Sequence, residues 1–118
     1  KIKTMASFGH HYLDVVSHAD LVIGNSSSGI IEVPSLKVPS VNIGQRQAGR
    51  LAASSVIHCE QSMDSIHAAI QSALQMDCSK VVNPYGDGHV SQRLLSIIKS
   101  VDLHTHKIFY DLPVMMDN

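Results

Sequence analysis

Asp20-Leu21-Val22-Ile23-Gly24 runs directly into Asn25-Ser26-Ser27-Ser28-Gly29-Ile30-Ile31-Glu32. Three consecutive aliphatic residues closed by a glycine suit a short parallel strand buried on both faces. The serines then lie at the carboxyl end of that strand, and the spacing predicts a helix from Ser28 to Leu36. Pro34 would leave the Ile30 carbonyl without its partner, which predicts a kink there. A buried strand handing over to a helix through a loop of small residues is the repeating step of an α/β fold.

Upstream, Tyr12, Val15, Val16 and Ala19 fall at i, i+3, i+4 and i+7, the stripe of an amphipathic helix that starts near His10. Ile2 to Ser7 is compatible with a short strand, with Phe8-Gly9 as a turn. Downstream, Pro39 to Gly44 and Ser55 to Cys59 read as two more strands. Gln45 to Ala53, polar and basic, reads as an exposed loop or one helical turn. Ser62 to Met76 carries Met63, Ile66, Ile70, Ala73 and Leu74 at helical spacing. Asn83-Pro84-Tyr85-Gly86-Asp87-Gly88 is dense in turn formers, and Asp87 is placed to cap a last helix bearing Val90, Leu94, Ile97, Ile98 and Val101. The alternation predicts an α/β domain with a parallel sheet and flanking helices. Residues 102–118 break it: Ile108, Phe109, Tyr110 and Leu112 are apolar, and Pro113 stops any helix. Such a tail is expected to pack on another domain or chain.

With 118 residues the chain is one domain at most, or part of one. Hydrophobic residues at 44% and charged residues at 16% give it a core to bury and exclude a disordered tail. A net charge of −1 argues against a general nucleic-acid or membrane-surface binder. No apolar run approaches the roughly 18 residues that would cross a bilayer. No charged segment followed by an apolar one opens the chain, so a cytoplasmic location is expected. Cys59 and Cys78 are too few for a disulfide framework and lack metal-ligand spacing, which fits free thiols in a reducing compartment. Among the eight histidines, His10 and His11 are neighbours whose side chains point apart on a helix. His104 and His106 have no second ligand pair at a zinc-finger distance. No metal site is expected.

The serine loop offers three hydroxyls, free backbone N–H groups, two glycines and a helix start, a combination suited to a phosphate or diphosphate. It is not a P-loop, because no lysine follows the second glycine. Its glycine spacing also differs from a Gly-x-Ser-x-Gly nucleophile elbow. A serine-rich strand-to-helix turn with an N-cap fits the same residues. Glu32 suits vicinal ribose hydroxyls, as the acid of dinucleotide folds does, or is a first-turn acid answering the helix dipole. Asn42-Ile43-Gly44-Gln45-Arg46-Gln47-Ala48-Gly49-Arg50 follows the next strand and should share the serine loop's sheet edge. Its arginines suit two-point contact with phosphate; a solvated basic loop is the other reading.

Gly24-Asn25-Ser26-Ser27-Ser28-Gly29-Ile30-Ile31-Glu32-Val33-Pro34-Ser35, with Val41-Asn42-Ile43-Gly44-Gln45-Arg46-Gln47-Ala48-Gly49-Arg50, closely resembles the hydrolysing UDP-N-acetylglucosamine 2-epimerases. The Asn83 to Gly88 segment and Lys107-Ile108-Phe109-Tyr110-Asp111 match that family in the same order. The serine and arginine motifs resemble its sialic-acid and legionaminic-acid branch. The resemblance implies a glycosyltransferase-B-like enzyme of two Rossmann-like domains with the active site in the cleft between them. Residues 1–101 match the carboxyl-terminal part of the UDP-binding second domain, and 102–118 a tail that packs on the amino-terminal domain, absent here. Ser26, Ser27 and Gly29 match the diphosphate loop, with Ser28 inside it. Glu32 matches the acid that holds the uridine ribose, and Arg46 an arginine of the nucleotide site; Arg50 carries no firm role.

The implied reaction removes the C2 proton of a UDP-linked acetamido sugar, expels UDP from C1 and hydrates the glycal. It needs no metal or nicotinamide. No catalytic acid or base of the family matches a residue here, so the segment is expected to grip UDP without turnover by itself. Relatives of this architecture suggest dimers or tetramers for the full-length protein. Two further readings share the nucleotide grip: a non-catalytic UDP-sugar-binding module, and a glycosyltransferase of the same architecture. The Arg-Gln-x-Gly-Arg motif favours the epimerase over the transferase.

Overall fold

The computed structural model describes residues 1–102, so the tail reading lies, from residue 103 on, outside the described residues. A 3-10 turn at Gly9–His11 leads into α1 (Tyr12–Ser17), followed by β1 (Val22–Gly24) and α2 (Ser28–Ile31). A second 3-10 turn at Val33–Leu36 precedes β2 (Ser40–Ile43), β3 (Val56–Cys59), α3 (Met63–Leu74) and α4 (Val90–Ser100). The strands form one parallel sheet in the order β1-β2-β3. Val22, Ile23 and Gly24 lie opposite Ser40, Val41 and Asn42, and Ser40 to Ile43 lie opposite Val56 to Cys59. This is the parallel α/β sheet with flanking helices that the alternation predicts, and it agrees with the Rossmann-like fold that the resemblance implies.

Strand side chains alternate between faces, so each strand feeds two cores. On one face Val22 joins Val16, Val33 and Val38, with Tyr12, Ala19 and Leu36 packed around them. On the other, Leu21, Ile43, Ile57 and Cys59 pack on Val41, Ala69 and Ala73, which brings α3 onto the sheet. Ala53, Cys78 and Val81 form a third cluster, closed by Met76. The apolar stripes are narrower than the spacing predicts. Val15 and Ile23 are close to half exposed, so β1, at the edge of the described sheet, is not buried on both faces. In α3 the sheet-facing positions are Ala69 and Ala73, while Met63 and Leu74 face outward; small residues let the helix lie close to the strands.

Four local expectations are corrected. Residues 2–7 form no strand: Ile2 is 94% exposed, and a lone strand would leave its N–H and C=O rows unpaired. The helix predicted from Ser28 to Leu36 is broken outright at Glu32, where the proline-bearing stretch tightens into a 3-10 turn. Asn83 repairs the break, its Nδ2 donating to the Ile31 carbonyl at 2.8 Å and to Ser35 Oγ at 2.7 Å. His10 and His11 do not point apart, because they sit on a 3-10 turn that Gly9 opens at φ 53°; their rings lie 3.9 Å apart. The cap position of α4 is His89, not Asp87.

The chain divides into two compact units, residues 1–87 and a second beginning at Gly88 that contains α4. Every candidate site residue lies in the first.

Candidate nucleotide site

Parallel strands leave the sheet at a common edge, so the loops after β1 and β2 begin side by side. The register fixes this, since Gly24 lies opposite Asn42. The serine loop is Asn25 to Gly29. Ser27 occupies the N-cap position of α2, and its carbonyl accepts from Ile30 N at 3.0 Å and Ile31 N at 2.9 Å. Its hydroxyl caps nothing; instead Ser26 Oγ accepts from Ser28 N at 3.3 Å. An N-cap role therefore accounts for the backbone of Ser27 and not for its side chain. Ser28 is committed within the fold, its Oγ lying 2.7 Å from Tyr12 OH. Ser40 Oγ donates to the Gly29 carbonyl at 2.6 Å, which ties the start of α2 to β2.

The site expectations change in detail. The helix that opens at Ser28 is a single turn, so its dipole is small. Glu32 stands at the carboxyl end of that turn and is exposed, where a helix dipole disfavours an acid; the dipole therefore gives no reason for it. Gly29 is not demanded by crowding within the chain. A Cβ there would meet Ser40 Cβ at 3.7 Å and Ser40 Oγ at 3.8 Å, ordinary contacts.

Arg46 and the serine loop do come together. Arg46 Nη1 lies 3.5 Å from Asn25 Oδ1, and Gln47 Nε2 donates to the Asn25 carbonyl at 2.9 Å. The loop expected to be exposed thus contains a residue only 4% accessible, Gln47, and the buried Ala53. Arg50 does not join this contact. It lines a neighbouring cavity of about 400 Å³ with Gln45, Gln47, His58, Glu60 and Ser65. A small recess of about 40 Å³ between Tyr12, Ser26, Gly29, Ser40 and Asn42 lies on the serine-loop side. Asn42 bridges the strands, its Nδ2 3.1 Å from His58 Nδ1. Burial, reinforced by Glu60, pushes the Cys59 thiol above its usual range. Sequence reasoning missed Tyr12, Ser40 and Gln47, whose roles depend on partners far away in the chain.

Among the described residues no three His, Cys, Asp or Glu side chains gather as metal ligands, and no helix is long and apolar enough to cross a membrane.

A three-stranded parallel sheet with a serine loop and an arginine loop at its carboxyl edge is an α/β arrangement, with two polar loops where open sheets of this class hold their ligands. Residues 1–99 match the UDP-N-acetylglucosamine 2-epimerase family, and the chain belongs to it. It is 37% identical over 94 residues to a UDP-N,N'-diacetylbacillosamine 2-epimerase (hydrolyzing) of Legionella pneumophila, covering 80% of this chain and 25% of that protein. It is 38% identical over 109 residues to the polysialic acid biosynthesis protein P7 of Escherichia coli, covering 86% and 28%. A UDP-N-acetylglucosamine 2-epimerase of Neisseria meningitidis is 31% identical over 108 residues, covering 86% and 29%. The chain thus spans less than a third of the length of these curated relatives.

Proposed function

We propose that this chain is the UDP-gripping part of a hydrolysing UDP-N-acetylglucosamine 2-epimerase, the carboxyl-terminal part of the second domain of a glycosyltransferase-B-like pair. The observation that carries the reading is the contact of the Arg46 loop with the serine loop at one sheet edge, in a chain of this family. Ser26, Ser27 and Gly29 take the diphosphate, with Ser28 bracing the loop from within through Tyr12. Glu32 accepts from the ribose hydroxyls, and Arg46 supplies positive charge to a diphosphate resting on the loop.

The reaction so served removes the C2 proton of a UDP-acetamido sugar, breaks the C1–O bond to release UDP, and adds water across the glycal to give the 2-epimer. By holding the diphosphate, this part stabilises the leaving group. The proton-transferring groups belong to the rest of the enzyme, so this segment alone turns nothing over. The name of the Legionella relative supports the hydrolysing type and a diacetamido sugar, and that of the Neisseria relative supports UDP-N-acetylglucosamine. Cys59 and Cys78, both free thiols, fit a cytoplasmic enzyme.

Calorimetric titration of UDP tests the reading, with Ser27→Ala and Arg46→Ala beside the wild type. Binding between micromolar and millimolar, about −8 to −4 kcal/mol, and weakened by both substitutions, is the expected result. A folded wild type that ignores UDP, or variants that bind like it, would refute the assignment.

A further inference from the structure

Gln47 is set apart from the residues around it. Gln45, Arg46, Ala48, Gly49 and Arg50 are all exposed, yet Gln47 is only 4% accessible. Its Nε2 reaches across to the Asn25 carbonyl, 22 residues earlier, at 2.9 Å. Its Oε1 is buried and has no hydrogen-bond partner among the described residues. A buried amide with one end unsatisfied is costly, and an apolar side chain of similar length would fill the space without that cost. What glutamine adds is one directional hydrogen bond, which ends on the first residue of the serine loop. Asn25 is held at two points: its carbonyl by Gln47, and its Oδ1 by Arg46 Nη1 at 3.5 Å.

We propose that Gln47 is a positioning residue of the nucleotide site, a strut that fixes Arg46 and the serine loop at a set spacing so that both meet one diphosphate. This rests on the reading of the site given above. It goes beyond it by assigning specific work to a side chain outside the set assigned to UDP. An arginine on a free loop must be ordered when the ligand arrives, at a cost in side-chain and loop entropy. With the strut in place, that ordering is completed during folding.

The test titrates UDP into the protein at its full natural length, as wild type, Gln47→Met, Gln47→Glu, Arg46→Ala and the Gln47→Met/Arg46→Ala double variant. Methionine keeps the length and burial and removes the donor. It is expected to weaken UDP about tenfold, on the scale of one lost ordering contact. In the Arg46→Ala background the same change is expected to cost less than twofold, because the strut acts through the arginine. Gln47→Glu supplies a second readout, and carries the test should the methionine variant not fold. Ionised, its carboxylate faces the Asn25 carbonyl and repels it; protonated, its O–H donates to that oxygen. Its affinity relative to wild type at each pH is therefore expected to recover as the pH falls through the introduced carboxyl's titration. A purely structural glutamine would lower the melting temperature, give additive losses and show no such recovery. Additive losses, Gln47→Met binding UDP within twofold of wild type, or a flat pH ratio would overturn the proposal while leaving the UDP site standing. A folded wild type that fails to bind UDP would remove both.

Discussion

Replacing Gly29 by alanine separates the demands of the fold from those of the ligand. Gly29 lies inside the single turn α2, outside the left-handed region, and an added methyl meets only Ser40, at 3.7 and 3.8 Å. Within a helix alanine is better than glycine by about 0.8–1.0 kcal/mol. The bond from Ser40 Oγ to the Gly29 carbonyl involves no atom that the substitution moves. Gly29→Ala should therefore stabilise the protein by up to about 1 kcal/mol, which raises the melting temperature of a domain this size by roughly 4–8 °C at most. If a diphosphate packs against the loop backbone, the same methyl occupies its place. UDP affinity should then fall at least about tenfold, or about 1.4 kcal/mol. Differential scanning calorimetry and titration of UDP on the same samples read both quantities. A variant that is more stable and binds UDP like wild type would show that the diphosphate does not approach Gly29. A less stable variant would show that the backbone needs the glycine, and the ligand argument would lose its footing.

Two further outcomes follow from local geometry. Gly44 sits at φ 73°, and a Cβ there would run into the Gln61 side chain, with Cγ 3.1 Å away. Gly44→Ala should cost about 1–2 kcal/mol from the left-handed backbone alone, read as a lower denaturant midpoint at unchanged slope; an unchanged midpoint would contradict the strain. Burial and the neighbouring Glu60 raise the Cys59 thiol, so the reactive thiolate is scarce at neutral pH. Alkylation of Cys59 by iodoacetamide should be slower than that of a free cysteine at pH 8, and a rate equal to or above it would count against the assignment.

The strands were legible because short aliphatic runs have few alternatives at this length, and Val22–Gly24, Ser40–Ile43 and Val56–Cys59 fall inside the stretches that the pattern marks. Helix faces were less legible. Periodicity weighs an apolar residue by its type, and in α3 it favoured Met63 and Leu74 over Ala69, although the close approach to the sheet selects the small residue. The strand expected at residues 2–7 had the right composition and no neighbour to pair with, and pairing is information that a single segment does not carry.

The same distinction runs through the site. That the serine and arginine loops meet follows from a general property of parallel sheets, in which successive strands end at one edge, so the meeting could be anticipated from strand order alone. Which atoms meet could not. Asn25 faces Gln47 because the register sets Gly24 against Asn42, and a slip of one residue along β2 would move every partner after it. In the sequence Tyr12 reads as part of an apolar stripe, Ser40 as part of a strand, and Asn83 and Gln47 as members of polar loops. Each acquires its role by satisfying a group on the serine loop or on the broken helix behind it. The broken helix needs such support because Pro34 ends its hydrogen-bond ladder, and the chain answers with Asn83 from 52 residues away. The residues suited to touch a ligand thus stand out by their chemical type, whereas the residues that hold them are identified only by the partners the fold brings within reach.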